Sequence, residues 1–177
     1  MSGVQNYHPA MPKAHDDWTV LSHGELKQLD DNLWHVSGTL PDMPMKRRMT
    51  VARMDDGRLV LHSVIALKDE TMAELEALGE VAFILVPNGF HRLDAPAYRK
   101  RFPGAKLLCP EGSRERIEKV VRTDGTYEDF PGDDSVTLEV LDGIKNLEGV
   151  VRVASPGGLT LVFNDTLFNV PHGKGFG

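Results

Sequence analysis

Between residues 58 and 121 two kinds of apolar pattern alternate, and that alternation leaves few architectures open. Val81 to Val86 (VAFILV) is an unbroken apolar run, the composition of a strand covered on both faces, as in a parallel sheet. Before it, Met72, Leu75 and Leu78 recur at helical spacing, with Asp69 as the expected N-cap and Gly79 where a C′ glycine belongs. After it, Asp94 is expected to cap a second helix that has Pro96 in its first turn, reaches Phe102 and stops at Pro103–Gly104. Lys106 to Cys109 reads as a short strand, and Ser113 as the cap of a third helix over Arg114 to Val121. Strand–helix repetition of this kind builds βαβ units.

The flanking regions read differently. Leu33 to Val36, Met49 to Met54 and Arg58 to Ser63 are strand-like, and Asp55–Asp56–Gly57 supplies a hairpin turn between the last two. A loop over Pro41 to Met45 leads into Lys46–Arg47–Arg48, read as a solvated loop. Val136 to Leu141, Val150 to Ala154 and Leu159 to Phe163 suggest a closing meander. Residues 1–18 form the expected flexible arm and 19–177 the domain, an α/β fold. The glycine-rich end, His172 to Gly177, brings no element to close the sheet, so the chain is read as a fragment of a longer one.

Composition narrows the function classes. The formal net charge is −6, so the basic footprint of a general nucleic-acid binder is missing. No apolar run approaches the roughly 18 residues of a membrane span, and the start lacks a basic-then-apolar leader. A cytosolic protein with no membrane partner is expected. Cys109 is the single cysteine; it excludes an internal disulfide and a Cys-rich metal cage, and is read as an inert core thiol.

None of the seven histidines falls in an H-x-H or H-E-x-x-H spacing. His8 and His15 are expected to be solvated in the arm. The informative positions lie at strand ends: His62, His91 after Val81 to Val86, and Asp165 after Leu159 to Phe163. Ligands of open α/β sheets bind beyond the carboxyl ends of strands, and His and Asp there serve as metal ligands or as base and acid. Each alone has an ordinary explanation as a loop or capping residue. Asn88–Gly89 is explained as a turn. Ser63 and Ser113 lack a G-x-S-x-G context, so no nucleophile elbow is expected.

The order "DNLWHVSG", "MTVARMDDGRLVLHS", helix, "VAFILVPNGFH", "YRKRFPGAKLLCPEG" and later "GLTLVFNDTLFN" resembles the metallo-β-lactamase superfamily over about Leu33 to Asn169, and within it an uncharacterised branch, a domain of unknown function. The resemblance implies an αββα sandwich. It also implies a dinuclear metal site held by an H-x-H-x-D-H segment and by an aspartate of a "GDTLF"-like segment. Aligned on that pattern, Val86, Asn88 and Phe90 stand at ligand positions where only His91 survives, and Asp165 matches the bridging aspartate. A degenerate motif is therefore expected, with no dinuclear site.

Three readings follow. The first is a domain without the metal centre that binds a small molecule or a protein partner in the residual cleft. The second is a hydrolase. It holds one zinc or other divalent metal on His91, Asp165 and His62 or His172, or works metal-free with His91 as base oriented by Asp165. Both versions require His91 and Asp165 to converge. The third is an interaction module that forms a homodimer through Pro41 to Arg48, with Met43, Met45 and Met49 as adaptable contacts.

Overall fold

A computed structural model describes residues 13–41 and 43–167 of the chain. Seven strands form one sheet in chain order: β1 (Lys27–Asp30), β2 (Leu33–Leu40), β3 (Met43–Arg53), β4 (Leu59–His62), β5 (Val81–Leu85), β6 (Lys106–Cys109) and β7 (Gly125–Thr126). The first four pair antiparallel, and β4 to β7 pair parallel. The parallel links carry α1 (Asp69–Glu76), α2 (Ala95–Arg101) and α3 (Glu111–Glu118). Crossovers of one hand that step in one direction put their helices on one face.

Alternation along the strands separates two cores. Leu59 and Leu61 of β4, Ile84 of β5 and Leu107 of β6 meet Met72, Leu75, Tyr98 and Ile117 of the helices. Val60, Phe83, Leu85 and Leu108 face the other way. There they pack on a three-stranded antiparallel sheet of β8 (Val136–Val140), β9 (Gly149–Ser155) and β10 (Gly158–Val162), ordered β10-β9-β8. The expected parallel units and meander are both present. The described residues make three layers, α-β-β, of the expected four, with all three helices packed in the first core. No helix among them is long and apolar enough to cross a membrane.

Several local expectations are corrected. Strand β3 begins at Met43, so Lys46–Arg47–Arg48 is strand rather than loop. Alternation turns Arg47 inward, 7% exposed, between exposed Lys46 and Arg48. Met49, expected at an interface, is fully buried in the helix-side core, while Met45 is exposed. Asp69 begins α1 rather than preceding it. Helix α3 starts at Glu111, which leaves Ser113 inside its first turn with Oγ donating to the Leu147 carbonyl at 2.7 Å. Gly79, expected at C′, lies one place beyond it because Ala77 is the C-cap of α1, and it closes against the hairpin turn instead: a Cβ there would meet the Gly57 oxygen at 2.1 Å.

Asp94 stands at the N-cap position of α2 but makes no capping bond. Its buried carboxylate accepts the Ala66 N–H at 3.0 Å and pairs with His15 Nδ1 at 2.7 Å. Arg47 Nη2 lies 2.6 Å from the same carboxylate, outside hydrogen-bonding direction, so that contact is ionic. A buried guanidinium needs a counter-charge more than a short helix needs a cap. His15 is therefore held rather than solvated. Nearby, Trp18 donates its indole N–H to the Leu67 carbonyl at 2.9 Å and packs its ring on Tyr98. These contacts hold the described part of residues 1–18 against the domain.

Asp94→Ala leaves the Arg47 charge buried and unpaired. The expected result is a loss of about 3 kcal/mol or more in unfolding free energy, measured by urea denaturation.

Candidate functional site

Parallel pairing sets the site's first side. Strands β4 and β5 run abreast, with His62 opposite Leu85, so the residues after them emerge at one sheet edge. Ser63 follows β4 directly. Its N–H donates to the Leu85 carbonyl at 3.0 Å, and its backbone is left-handed, φ +58°, a conformation uncommon for a residue other than glycine.

The loop after β5 is shaped by Asn88, which is 5% exposed. Its Oδ1 accepts the N–H of Phe90 at 2.8 Å and of His91 at 3.2 Å. This is the Asx geometry expected of an Asn-Gly turn, but the amide does more. Its Nδ2 donates to Asp165 Oδ2 at 2.8 Å and to Glu148 Oε2 at 3.3 Å.

Glu148, next to the start of β9, is 4% exposed. It accepts three consecutive main-chain N–H groups from the loop after β10: Asn164 at 2.7 Å, Asp165 at 2.9 Å and Thr166 at 3.2 Å. Those bonds bring Asp165 from the small sheet to the loop of the large one.

His91 is held at both ring nitrogens. Nε2 lies 3.1 Å from Asp165 Oδ1, and Nδ1 lies 3.1 Å from Ser63 Oγ. Burial alone would raise the Asp165 carboxyl. The hydrogen bond from His91, the charge of that ring and the Asn88 amide outweigh it and hold the group below the usual carboxylate range. An ionised Asp165 only accepts, so Nε2 carries its proton. In the neutral ring Nδ1 then has a lone pair to accept the Ser63 hydroxyl. The structure thus converges His91 and Asp165 and adds Ser63, a residue sequence reasoning set aside.

A cleft of about 780 Å³ opens here. His35, Thr50 and His62 stand in register across β2, β3 and β4 and line it together with the Ser63–His91–Asp165 chain. Burial pushes the His62 imidazole down to about 3, with the nearby His91 adding to the effect. His35 is lowered by burial and then by Arg48 and Lys27. His62 Nε2 and His35 Nδ1 are buried with no hydrogen-bond partner among the described residues.

The donor set does not fit the metal centre that the resemblance implies. Val86 lies in the helix-side core, Asn88 is committed to the two loops, and Phe90 is exposed beneath the Arg116 guanidinium. Among the described residues no three His, Cys, Asp or Glu side chains could hold one ion together, so His62 does not complete a set with His91 and Asp165. His23 accepts the Lys68 N–H at 2.9 Å, away from the pair. His8 and His172 lie outside the described residues. Cys109 is buried, its thiol pushed up to about 12 by burial, which keeps it protonated and inert.

Comparison with known proteins gives a fold. No family model matches the chain, and no curated protein matches it. Among solved structures it is similar to the metallo-β-lactamase from Hirschia baltica, with a TM-score of 0.50 and 11% identity over 73% of this chain and 66% of that one. It is likewise similar to the DIM-1 metallo-β-lactamase, with a TM-score of 0.50 and 9% identity over 75% of this chain and 66% of that one. The chain has a metallo-β-lactamase-like fold and spans 66% of the length of each of these two structures.

Two outcomes test the site's construction. Glu148→Ala strands three main-chain donors, so unfolding free energy falls by about 2 kcal/mol or more in urea titrations. His62 is neutral when folded and takes up a proton below pH 6.5 only when unfolded. Stability is therefore lost as pH drops from 6.5 toward about 3, by roughly 1.4 kcal/mol per unit from this group. In calorimetry over that window, His62→Leu gives a shallower pH slope.

Proposed function

We propose that this metallo-β-lactamase-like domain binds a small molecule in the residual cleft and acts on it without the dinuclear metal centre. His91 moves a proton, and Asp165 fixes the ring's tautomer and orientation. The observation that supports this reading is the 3.1 Å contact between His91 Nε2 and Asp165 Oδ1. The carboxylate that resembles a bridging metal ligand is instead spent on orienting the one histidine left of the motif.

The chemistry follows from that contact. A carboxylate on one ring nitrogen makes the other a lone-pair base that faces the Ser63 hydroxyl. It also stabilises the imidazolium formed when that base takes a proton. His62, kept neutral by burial, adds a polar edge near the base without adding charge.

The test needs no substrate. Protein purified without chelator carries well under one zinc, manganese or iron per chain by elemental analysis. Long-range proton–nitrogen spectra of the imidazoles show His91 protonated at Nε2 when neutral, and Asp165→Asn shifts that tautomer balance. About one metal per chain that disappears in His91→Ala overturns the proposal in favour of a mononuclear metal hydrolase.

A further inference from the structure

We propose that Ser63 is a nucleophile and that the cleft hydrolyses carboxylic esters with an apolar acyl group through an acyl-serine intermediate. The proposal rests on the reading that His91 and Asp165 act as a proton-transfer pair, and adds the atom that attacks.

Three independent features carry it. Ser63 Oγ, His91 and Asp165 form a continuous hydrogen-bonded chain with both links at 3.1 Å. That is the nucleophile–base–orienter arrangement which activates a hydroxyl on unrelated folds. Here the ring is reversed, Nδ1 meeting the hydroxyl and Nε2 the carboxylate, which leaves the roles unchanged because each nitrogen can carry either one. Second, Ser63 holds a left-handed backbone at the carboxyl end of a parallel strand. Strain of this kind persists where the surrounding structure over-determines it, and it clusters at functional sites. A glycine would hold the same turn at no cost, so the turn alone does not call for serine. Third, the cleft has apolar wall for an acyl group. Leu40, Met43, Val64, Leu93 and Leu161 are among the residues that line it, beside a polar and basic side that includes Arg48 and the histidines, and its volume falls within the roughly 300–1,000 Å³ of small-molecule sites.

The step balances with the groups present. The Ser63 hydroxyl proton passes to His91 Nδ1 as Oγ bonds to the ester carbonyl carbon. The carbon–alkoxy bond breaks, and the alcohol leaves with the proton from Nδ1. Water then gives a proton to Nδ1 as its oxygen adds to the acyl carbon. Oγ departs, regains the proton, and the carboxylic acid is released. The N–H of Ser63 is committed to the Leu85 carbonyl, so it is not the donor for the developing oxyanion.

The test treats the full chain with an alkyl fluorophosphonate and reads intact mass and peptide maps. The expected result is one phosphonyl group per chain, on Ser63, with labelling slowed about 100-fold or more in His91→Ala. Ser63→Gly is unlabelled yet melts at the same temperature or higher, because glycine accepts the left-handed turn. p-Nitrophenyl butyrate gives a burst of p-nitrophenol with the wild type and none with Ser63→Gly. No label on Ser63, label elsewhere, or label that His91→Ala does not slow overturns the proposal. If the His91 tautomer and metal content are nevertheless as stated above, the proton-transfer reading stands and only the nucleophile fails. If those fail too, both fall.

Discussion

The buried carboxylate of Glu148 is the tie on which the site depends. Its two oxygens take three successive amide protons from the loop after β10 and the side-chain amide that shapes the loop after β5. The buried Asn88 amide, left alone, would cost stability comparable to a lost hydrogen bond, and the half-buried main-chain donors somewhat less. Satisfying them on one acceptor locks two loops from two different sheets into one register. Asp165 is carried in on that register, and His91 is met at the distance a proton can cross.

The cleft has a plainer origin. The face of the large sheet that packs on the small one holds Leu33, Ala52, Val60 and Phe83 in one row. Two residues further along the same strands, the row becomes His35, Thr50, His62 and Leu85. The apolar row lies under the small sheet; in the next, the three polar residues line the cleft. Polar side chains at core-facing positions of regular strands are costly unless something uses them. The nitrogens of His35 and His62 that find no partner among the described residues mark the boundary between packing and site.

Much of the frame was legible in the chain because it rests on periodicity. The continuous run at Val81 to Val86, the Asp-Gly hairpin and the three alternating segments of the meander each correspond to an observed element. His91 and Asp165 were legible as residues just past strand ends. Their partners were not. Asn88 had a sufficient local explanation as a turn, which hid its second role. Ser63 lacked the flanking glycines of a nucleophile elbow, although the His62–Ser63 pair at a strand's carboxyl end was a signal of position. Glu148 had no local signal, because its partners lie 16 to 18 residues on and 60 residues back. Arg47 misled through its neighbours: three basic residues in a row suggest solvent, yet alternation in a strand sends the middle one inward.

The sequence by itself determined the elements, the parallel centre, the meander and the absence of ligand atoms at Val86 and Phe90, since these follow from side-chain chemistry and spacing along the chain. The tertiary structure alone decided that the surviving histidine would be bracketed by a carboxylate from one sheet and a hydroxyl from the other. That outcome depends on the register between two sheets, set by a buried acceptor that must satisfy distant main-chain donors, and no one-dimensional pattern records such a register.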